Sequence, residues 1–223
     1  MTEAHDRSLR ISPTPEVVDY VLTHSLPAHP AQAALAARTR RQYGGLARMQ
    51  IAPEQGGLLT VLVRLVRATH AVEVGTFTGY SSISIARGLE PGGRLLCLDI
   101  SERATDIARE AWQEAGLADR VDLRLGPAAD TLRALPPDEQ FDFCFVDADK
   151  AGYPGYLDEL LPRTRAGGLL AFDNVLLGGE VLDPRSQGDA AVMRAFNDQL
   201  AADPRVDVAM IPVADGLTLA VKR

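Results

Sequence analysis

The sequence predicts an α/β fold built on a doubly wound, mostly parallel, seven-stranded sheet with one antiparallel strand. From residue 71 onward, short apolar runs alternate with helical patterns in five strand–helix units, an arrangement that produces a parallel sheet. Two further apolar runs, 206–213 and 216–223, are separated only by Ala214 and Asp215. So short a connection predicts a closing hairpin, and therefore one antiparallel strand.

Helical patterns precede the sheet. Residues 1–12 are polar, and we expect them to be frayed. Thr14 is placed to cap a helix that begins at Pro15 and reaches about residue 25. A second helix is predicted over 31–43, where a Tyr-Gly-Gly sequence ends it.

A third helix begins at Pro53. Its predicted apolar stripe consists of Leu58, Leu59, Leu62, Leu65 and Val66. We expect one domain over residues 1–223, with a helical extension at 1–50 and a ligand-binding core at 51–223.

The elements of the core follow from apolar runs bounded by turn residues. The predicted strands are 71–75, 94–99, 120–126, 141–147, 167–173, 206–213 and 216–223. The predicted helices between them end near residues 88, 115, 135, 165 and 202. The polar, Gly-rich segment 178–189 is either a lid over the ligand site or a surface loop.

Composition excludes some classes of protein. The net charge of −7 argues against a nonspecific binder of nucleic acid, because phosphate binding needs clustered Lys and Arg. Arg38, Arg40, Arg41 and Arg48 form either a local basic patch or a solvated helix face.

Cysteine use and hydropathy predict the location of the protein. Cys97 and Cys144 lie within apolar strand-like runs, which is typical of buried free thiols rather than of a disulfide. No basic, apolar leader opens the chain, and no run of about 18 apolar residues occurs. We expect a soluble protein in the cytoplasm, without a membrane partner.

Carboxylate and amide side chains follow two of the predicted strands where each strand ends. Asp147 closes FDFCFVD, and Asp173 and Asn174 follow the apolar run of the next strand. If these strands are neighbours, they lie about 5 Å apart. Such oxygen ligands suit Mg²⁺ or Ca²⁺, and the same edge of an open α/β sheet binds ligands. The alternative is a strand-ending turn at Asp173 and Asn174.

The segment VEVGTFTGYSS (72–82) predicts a strand, a glycine turn and a helix. Gly75 and Gly79 are spaced G-x-x-x-G, unlike the G-x-G-x-x-G that holds a pyrophosphate. Glu73 places a carboxylate near the turn, which disfavours a diphosphate and suits a cationic amino-acid group. The alternative is a structural turn with an incidental glutamate.

Asp99 ends the second strand, 26 residues after Glu73. An acidic residue at this place accepts hydrogen bonds from ribose hydroxyls, each worth roughly 1.5–3 kcal/mol. A nucleoside site without a phosphate cradle, beside a carboxylate for a cationic amino-acid tail, fits S-adenosylmethionine. The alternative for Asp99, taken alone, is a helix cap before Ser101.

Several segments together resemble one family. VEVGTFTGYSS, CLDISERATDIARE, RLGPA, FVDADK and FDNV are similar to segments of the cation-dependent class I S-adenosylmethionine O-methyltransferases of the caffeoyl-CoA and catechol type. The resemblance extends from about Met49 to the C-terminus, and residues 1–45 match loosely. Catechol-type members carry an aromatic residue where this chain has Asp149, so the chain resembles the caffeoyl-CoA branch and its bacterial relatives more closely.

The resemblance implies a Rossmann-like sheet, a homodimer and a role for each matching residue. Glu73 is implied at the methionine amino group and Asp99 at the ribose. The other implied cofactor contacts are Ile51, Gly75, Thr76, Ser81, Ile100, Ala128 and Asp147. The implied ligands of Mg²⁺ (or Mn²⁺ or Ca²⁺) are Asp147, Asp173 and Asn174. Lys150 is implied as general base or charge stabiliser, acting with Asp147; the alternative is a simple ion pair.

The expected reaction moves the methyl group of S-adenosylmethionine to one hydroxyl of a catechol-like small molecule. A phenol ionises near pH 10, so it needs a metal ion and a base to react at neutral pH. Three alternatives stay open: a tRNA hydroxy-base methyltransferase of the same family, a nicotinamide dehydrogenase, and a cofactor-binding protein without catalysis. The acidic composition disfavours the first, and the missing G-x-G-x-x-G disfavours the second.

Overall fold

The computed structural model describes residues 13–138 and 140–223. The helices are α1 (Pro15–Thr23), α2 (Pro30–Tyr43), α3 (Pro53–Leu65), α4 (Tyr80–Gly88), α5 (Glu102–Glu114), α6 (Ala128–Ala134), α7 (Tyr153–Arg163) and α8 (Asp189–Ala202). The strands are β1 (His70–Val74), β2 (Arg94–Asp99), β3 (Val121–Leu125), β4 (Phe141–Val146), β5 (Thr164–Asp173), β6 (Val206–Ile211) and β7 (Leu217–Lys222). The frayed segment expected at 1–12 lies outside the described residues.

The seven strands form one sheet in the order β3-β2-β1-β4-β5-β7-β6. β7 pairs antiparallel with both β5 and β6, while the other pairs are parallel. The predicted fold class and the single antiparallel strand are therefore confirmed. β4 and β5 are neighbours, with Val146 paired to Phe172, so the two acidic strand ends lie side by side.

Helices cover both faces of the sheet because its central strands are apolar on both sides. In β4, Phe143 and Phe145 face a core shared with α2 to α5. Cys144 and Val146 face a second core, shared with α6 to α8. Such two-sided burial is typical of parallel strands. Both cysteines are buried and free, as predicted.

The N-terminal helices are joined to the core by buried polar contacts. Gln32 Nε2 donates to the Tyr80 carbonyl oxygen at 3.0 Å and to Ser84 Oγ at 2.8 Å. Thr39 Oγ1 donates to Thr78 Oγ1 at 2.9 Å. These contacts fix α2 against the start of α4, beside the glycine turn. Within the described ranges, no helix combines the length and apolarity needed to cross a membrane.

Some local predictions differ from the structure. The predicted stripe on α3 was wrong at its end, because Leu65 is 72% exposed. The buried face instead consists of Gln55, Gly56, Leu59, Thr60 and Val63. Glycine and threonine belong to it because α4 approaches closely there: a Cβ on Gly56 would lie 2.9 Å from Ser84 Oγ. An unpredicted 3-10 helix, Gly44–Met49, follows α2.

Candidate active site

A cavity of about 1230 Å³ opens at the carboxyl ends of the parallel strands. The predicted site residues that line it are Ile51, Gly75, Thr76, Ser81, Asp99, Ile100, Ala128, Asp147, Lys150, Asp173 and Asn174. Glu73 is the one predicted site residue that does not line it. Apart from Glu73, the predicted cofactor contacts and the predicted metal ligands therefore share a single cavity.

Gly75 lets the end of β1 lie against the end of β4. Its φ of +91° favours glycine, and an added Cβ would lie 1.9 Å from the Asp147 carbonyl oxygen. Gly75 N donates to the Leu98 carbonyl oxygen at 2.9 Å, and Asp147 N donates to the Val74 carbonyl oxygen at 2.8 Å. The missing side chain thus brings the glycine turn next to Asp147.

Asp99 holds the glycine turn against the end of β2. Its Oδ2 accepts from the backbone N–H groups of Thr76 at 2.9 Å and Phe77 at 2.8 Å. Its Oδ1 accepts from Ser101 N at 2.7 Å. The residue that caps the N-terminus of α5 is Ser101, and not Asp99. Asp99 therefore has a structural role at the cavity wall, in addition to its predicted contact with a ribose.

Glu73 lies beneath the turn and is 0% exposed. Its Oε2 accepts from the Cys97 thiol at 3.4 Å, while Oε1 has no hydrogen-bond partner among the described residues. Burial raises the pKa of Glu73 to about 7, although the nearby Ser81 and Thr76 hydroxyls favour the ionised form. A cationic group brought near this carboxyl would lower its pKa. Its predicted contact with the cofactor stays a prediction.

The adenine end predicted for the cavity combines apolar and small residues. Ile100 is 79% exposed although it is a large apolar residue, and Ala128 is buried at the first position of α6. Both line the cavity together with Gly126 and Pro127. An exposed isoleucine beside small residues leaves an apolar surface on which a flat ring can pack.

Two carboxylates share the opposite end of the cavity. Asp173 is buried, and its Oδ1 accepts from Asn174 N at 2.7 Å. Burial, and then the charge of Asp147, raises the pKa of Asp173 to about 7. Burial also raises the pKa of Asp147, and the Lys150 ammonium opposes that shift. A cation between the carboxylates would favour both ionised forms.

Lys150 supplies a cation at this end of the cavity. Its Nζ donates to Asn174 Oδ1 at 2.7 Å, to Tyr153 Oη at 2.8 Å and to the Ala148 carbonyl oxygen at 3.0 Å, and lies 3.4 Å from Asp147 Oδ1. The ammonium thus stands where two of the predicted metal ligands converge. Among the residues that the structure describes, no three Asp, Glu, His or Cys side chains gather as metal ligands. The third predicted ligand is the amide oxygen of Asn174.

Gln55 also lines the cavity but did not stand out in the sequence. It is 1% exposed, and its Nε2 has no hydrogen-bond partner in the described part of the chain. It lies near enough to Asp173 to favour the ionised carboxylate, although the contact lacks hydrogen-bond geometry. The available signal was its spacing, four residues before the buried Leu59 on α3.

The turn between β6 and β7 borders the same end. Asp215 lies in the connection of the predicted hairpin, and its Oδ1 accepts from Gly178 N at 2.6 Å. It also lines the cavity, as do Asp149 and Asp189. Ala214 adopts a φ of +47°, an uncommon conformation for a residue other than glycine. The Gly-rich segment that follows Asn174 is therefore tied to the cavity through Asp215.

The predicted basic patch is partly neutralised. Arg38 Nη1 donates to Glu110 at 2.6 Å, and Nη2 donates to Glu114 at 2.8 Å. Arg48 is the member of the patch that lines the cavity. Arg38 is therefore better described as an anchor between α2 and α5 than as a contact for a polyanion.

The fold and the cavity define an α/β enzyme that binds its ligands at the carboxyl edge of a seven-stranded sheet. The chain belongs to the O-methyltransferase family, whose profile matches residues 23–223. The match begins before Met49, so the family relationship reaches further towards the N-terminus than the motifs indicated. Membership confirms the predicted family and excludes the nicotinamide dehydrogenase.

Individual relatives agree with this assignment. Caffeoyl-CoA O-methyltransferase 1 of Eucalyptus globulus is 38% identical over 181 residues, covering 77% of this chain and 74% of the relative. Catechol O-methyltransferase domain-containing protein 1 of Mus musculus is 37% identical over 207 residues, covering 91% and 78%. The crystal structure of the O-methyltransferase TomG from Streptomyces achromogenes, in complex with S-adenosylmethionine, has a TM-score of 0.85 at 34% identity, covering 93% and 96%.

Proposed function

We propose that this O-methyltransferase moves the methyl group of S-adenosylmethionine to one hydroxyl of a catechol-like small molecule, with a divalent cation bound at Asp147, Asp173 and Asn174. One observation carries the proposal. The two acidic strand ends and the nucleoside-type site at Asp99 line the same cavity. A methyl donor and a hydroxyl acceptor can therefore meet within it.

The cavity suits the cofactor. Asp99 would accept hydrogen bonds from the ribose, and Ile100 and Ala128 would contact the adenine. Gly75, Thr76, Ser81 and Ile51 would surround the methionine part. The unpartnered oxygen of the buried Glu73 fits a role in balancing the amino group, directly or through a hydroxyl of the turn. The TomG complex supports S-adenosylmethionine as the cofactor.

The donor set suits a hard divalent cation. Two carboxylates and one amide oxygen are ligands that Mg²⁺, Mn²⁺ and Ca²⁺ accept. When bound, such an ion would lower the pKa of an acceptor hydroxyl and fix its orientation. The Lys150 ammonium, which contacts Asn174 and lies near Asp147, supports the use of this position by a cation.

Lys150 would act on the proton of the acceptor. Its Nζ lies at the cavity wall with Asp147 and Tyr153 within hydrogen-bond reach. As an ammonium it would stabilise negative charge on the attacking oxygen, and as the neutral amine, which a bound metal ion beside it would favour, it would accept the proton of the acceptor hydroxyl. The other residues orient the two substrates, and no covalent intermediate with the protein is required. Aligning donor and acceptor accounts for most of the expected acceleration.

Three further expectations, on domain organisation, oligomeric state and location, belong to the same proposal. The chain would work as one domain over 1–223, in which residues 43–50 of the N-terminal extension complete the cavity wall of the core at 51–223. A homodimer is expected from the resemblance, and sedimentation would measure it. A cytoplasmic location stays a prediction.

The testing experiment measures transfer of labelled methyl groups to caffeate, caffeoyl-CoA and a flavonoid catechol. We expect transfer to stop with EDTA and to return with Mg²⁺. The same assay with Mn²⁺ and Ca²⁺ compares the rates that the three ions support. Asp173→Asn should lower transfer at least about 100-fold without preventing cofactor binding, whereas the exposed Asp158→Asn should not. Transfer that survives EDTA would contradict the metal role.

A further inference from the structure

The predicted metal ligand Asn174 has an uncommon backbone conformation. Its φ is +54°, in the left-handed region that few residues other than glycine adopt, although asparagine does so more readily than most. A change in this conformation would redirect the side chain, and with it the amide oxygen that faces Lys150 and Asp147. The contacts that fix the backbone beside Asn174 therefore affect the geometry of the metal site.

Hydrogen bonds hold the backbone on both sides of this residue. Before it, Asn174 N donates to Asp173 Oδ1 at 2.7 Å. After it, Val175 N donates to the Gly216 carbonyl oxygen at 3.2 Å. The carbonyl oxygen of Val175 accepts from a side chain of a distant helix, because Asn197 Nδ2 donates to it at 2.8 Å. Asn197 thus supplies a long-range bond to the residue that follows the predicted ligand.

Asn197 lies on a well-packed part of α8. Its neighbour Phe196 is buried and contacts two aromatic rings edge to face. The ring centroids lie 5.0 Å from Phe172 and 5.5 Å from Tyr153. Phe172 belongs to β5 and directly precedes Asp173. Packing therefore fixes the donor on α8 relative to the end of β5, and a donor on such a rigid element can hold a neighbouring backbone precisely in place.

Packing alone does not explain an amide at position 197. The Oδ1 atom of Asn197 is buried and has no hydrogen-bond partner in the part of the chain that the structure describes. A buried polar atom without a partner costs roughly 1–3 kcal/mol, which an apolar side chain of the same shape would avoid. The bond from the amide nitrogen to Val175 is the contact that accounts for a polar residue here.

Asn197 lies outside the lining of the active-site cavity. It borders a separate cavity of about 500 Å³, which lies between the C-terminal half of α8 and the strands β6 and β7. Any effect of Asn197 on the active site would therefore pass through Val175 and Asn174. The separate cavity also leaves room around position 197, so that a substitution there need not clash with its neighbours.

We propose that Asn197 is a positioning residue for the metal site. Its amide holds the carbonyl group of Val175, and thereby the left-handed backbone of Asn174 and the direction of the Asn174 amide oxygen. This inference rests on the proposed function, because it concerns a ligand of the proposed cation. Replacing a residue that orients a metal ligand without touching the ion typically weakens metal binding by roughly 10- to 100-fold.

The test measures the Mn²⁺ affinity of the full chain by electron paramagnetic resonance, without a methyl acceptor. Two variants remove the donor: Asn197→Leu keeps the side-chain volume, and Asn197→Ala does not. We expect Mn²⁺ to bind at least about tenfold more weakly to both, because both leave the Val175 carbonyl without its side-chain donor. Gln199→Leu removes an amide from the exposed side of α8 and should bind Mn²⁺ as the parent does.

The affinity for S-adenosylhomocysteine, measured by calorimetry, separates positioning from a general loss of structure. It should be the same in the parent and in both Asn197 variants, and methyl transfer should recover as Mg²⁺ is raised, because mass action refills a weakened site.

Unchanged Mn²⁺ affinity in Asn197→Leu overturns this inference alone. A loss confined to Asn197→Ala would assign the effect to side-chain volume and would overturn it too, as would an equal loss of S-adenosylhomocysteine affinity. A parent enzyme that binds no Mn²⁺ overturns the proposed metal site and this inference with it.

Discussion

The ammonium of Lys150 lies 2.7 Å from the amide oxygen of Asn174, so a residue after β4 is bonded to the residue that follows β5. The same ammonium contacts Tyr153 Oη, which in turn donates to the Asp173 carbonyl oxygen at 2.9 Å. Lys150 thus connects the two acidic strand ends. A divalent ion that used Asn174 as a ligand would compete with this contact.

Replacement of Lys150 should separate metal binding from catalysis. We expect Lys150→Met to bind Mn²⁺ more tightly, by about tenfold, because no ammonium competes for Asn174. Methyl transfer should fall at least about 100-fold because the proton acceptor is lost. Titration with Mn²⁺, followed by electron paramagnetic resonance, measures the first effect. Lys150→Arg is the matched variant: it keeps the charge but cannot release a proton, so it should not restore transfer.

Glu73 should make stability depend on pH. Burial raises its pKa in the folded state to about 7, above the ordinary value of 4.5, so the folded state binds the proton more tightly. This tighter proton binding contributes on the order of 3 kcal/mol to the free energy of unfolding. The contribution is fully present below pH 4.5 and is lost as the pH rises through 7. Glu73→Gln should therefore gain stability relative to the parent between pH 4.5 and 8. Urea unfolding of both proteins without cofactor measures the difference, and a constant difference would contradict the buried carboxyl.

Gly75 should not tolerate a side chain. Gly75→Ala would place Cβ 1.9 Å from a backbone oxygen, so we expect a loss of more than about 3 kcal/mol in the free energy of unfolding, together with loss of activity. Gly92→Ala is the matched control, since Gly92 also has a positive φ of +77° but no atom within 4 Å of its added Cβ. It should cost only about 1 kcal/mol. Equal losses in the two variants would show that conformation, and not the close approach, makes glycine necessary.

Asp99 should affect both the glycine turn and cofactor binding. In Asp99→Asn one carboxylate oxygen becomes an amide that cannot accept hydrogen bonds from backbone N–H groups, so we expect a loss of roughly 1–3 kcal/mol in stability. The affinity for S-adenosylhomocysteine, measured by calorimetry, should fall at least about tenfold. Asp122→Asn on the exposed face of β3 serves as the control. Unchanged affinity in a destabilised variant would restrict Asp99 to its structural role.

The sequence predicted the convergence of Asp147, Asp173 and Asn174 because parallel strands end at one edge of a sheet, and alternation with helices makes strands parallel. It predicted the glycine turn because few backbone conformations let two segments approach so closely, and glycine is the residue that adopts them most readily. The family membership, reached from the motifs, was confirmed by the family profile.

Other features depend on contacts between distant segments and had no local signal. The burial of Glu73 beneath the turn follows from its packing against β2 and β4, which pair with β1 on either side. The position of Asp189 depends on the path of the segment before α8. Leu65 belongs to the apolar pattern of α3, but it is the last residue of the helix and is exposed, so periodicity alone placed it in the core.

The position of β7 has a consequence for how the molecule assembles. β7 follows β6 in the chain but lies between β5 and β6 in the sheet, so β6 is held in the sheet only through its hairpin partner β7. Without this hairpin, β5 would present an unpaired edge, which is a site for intermolecular strand pairing. The same hairpin carries Asp215 to the cavity wall. Docking of one hairpin therefore both completes the cavity and protects the edge of β5 from aggregation.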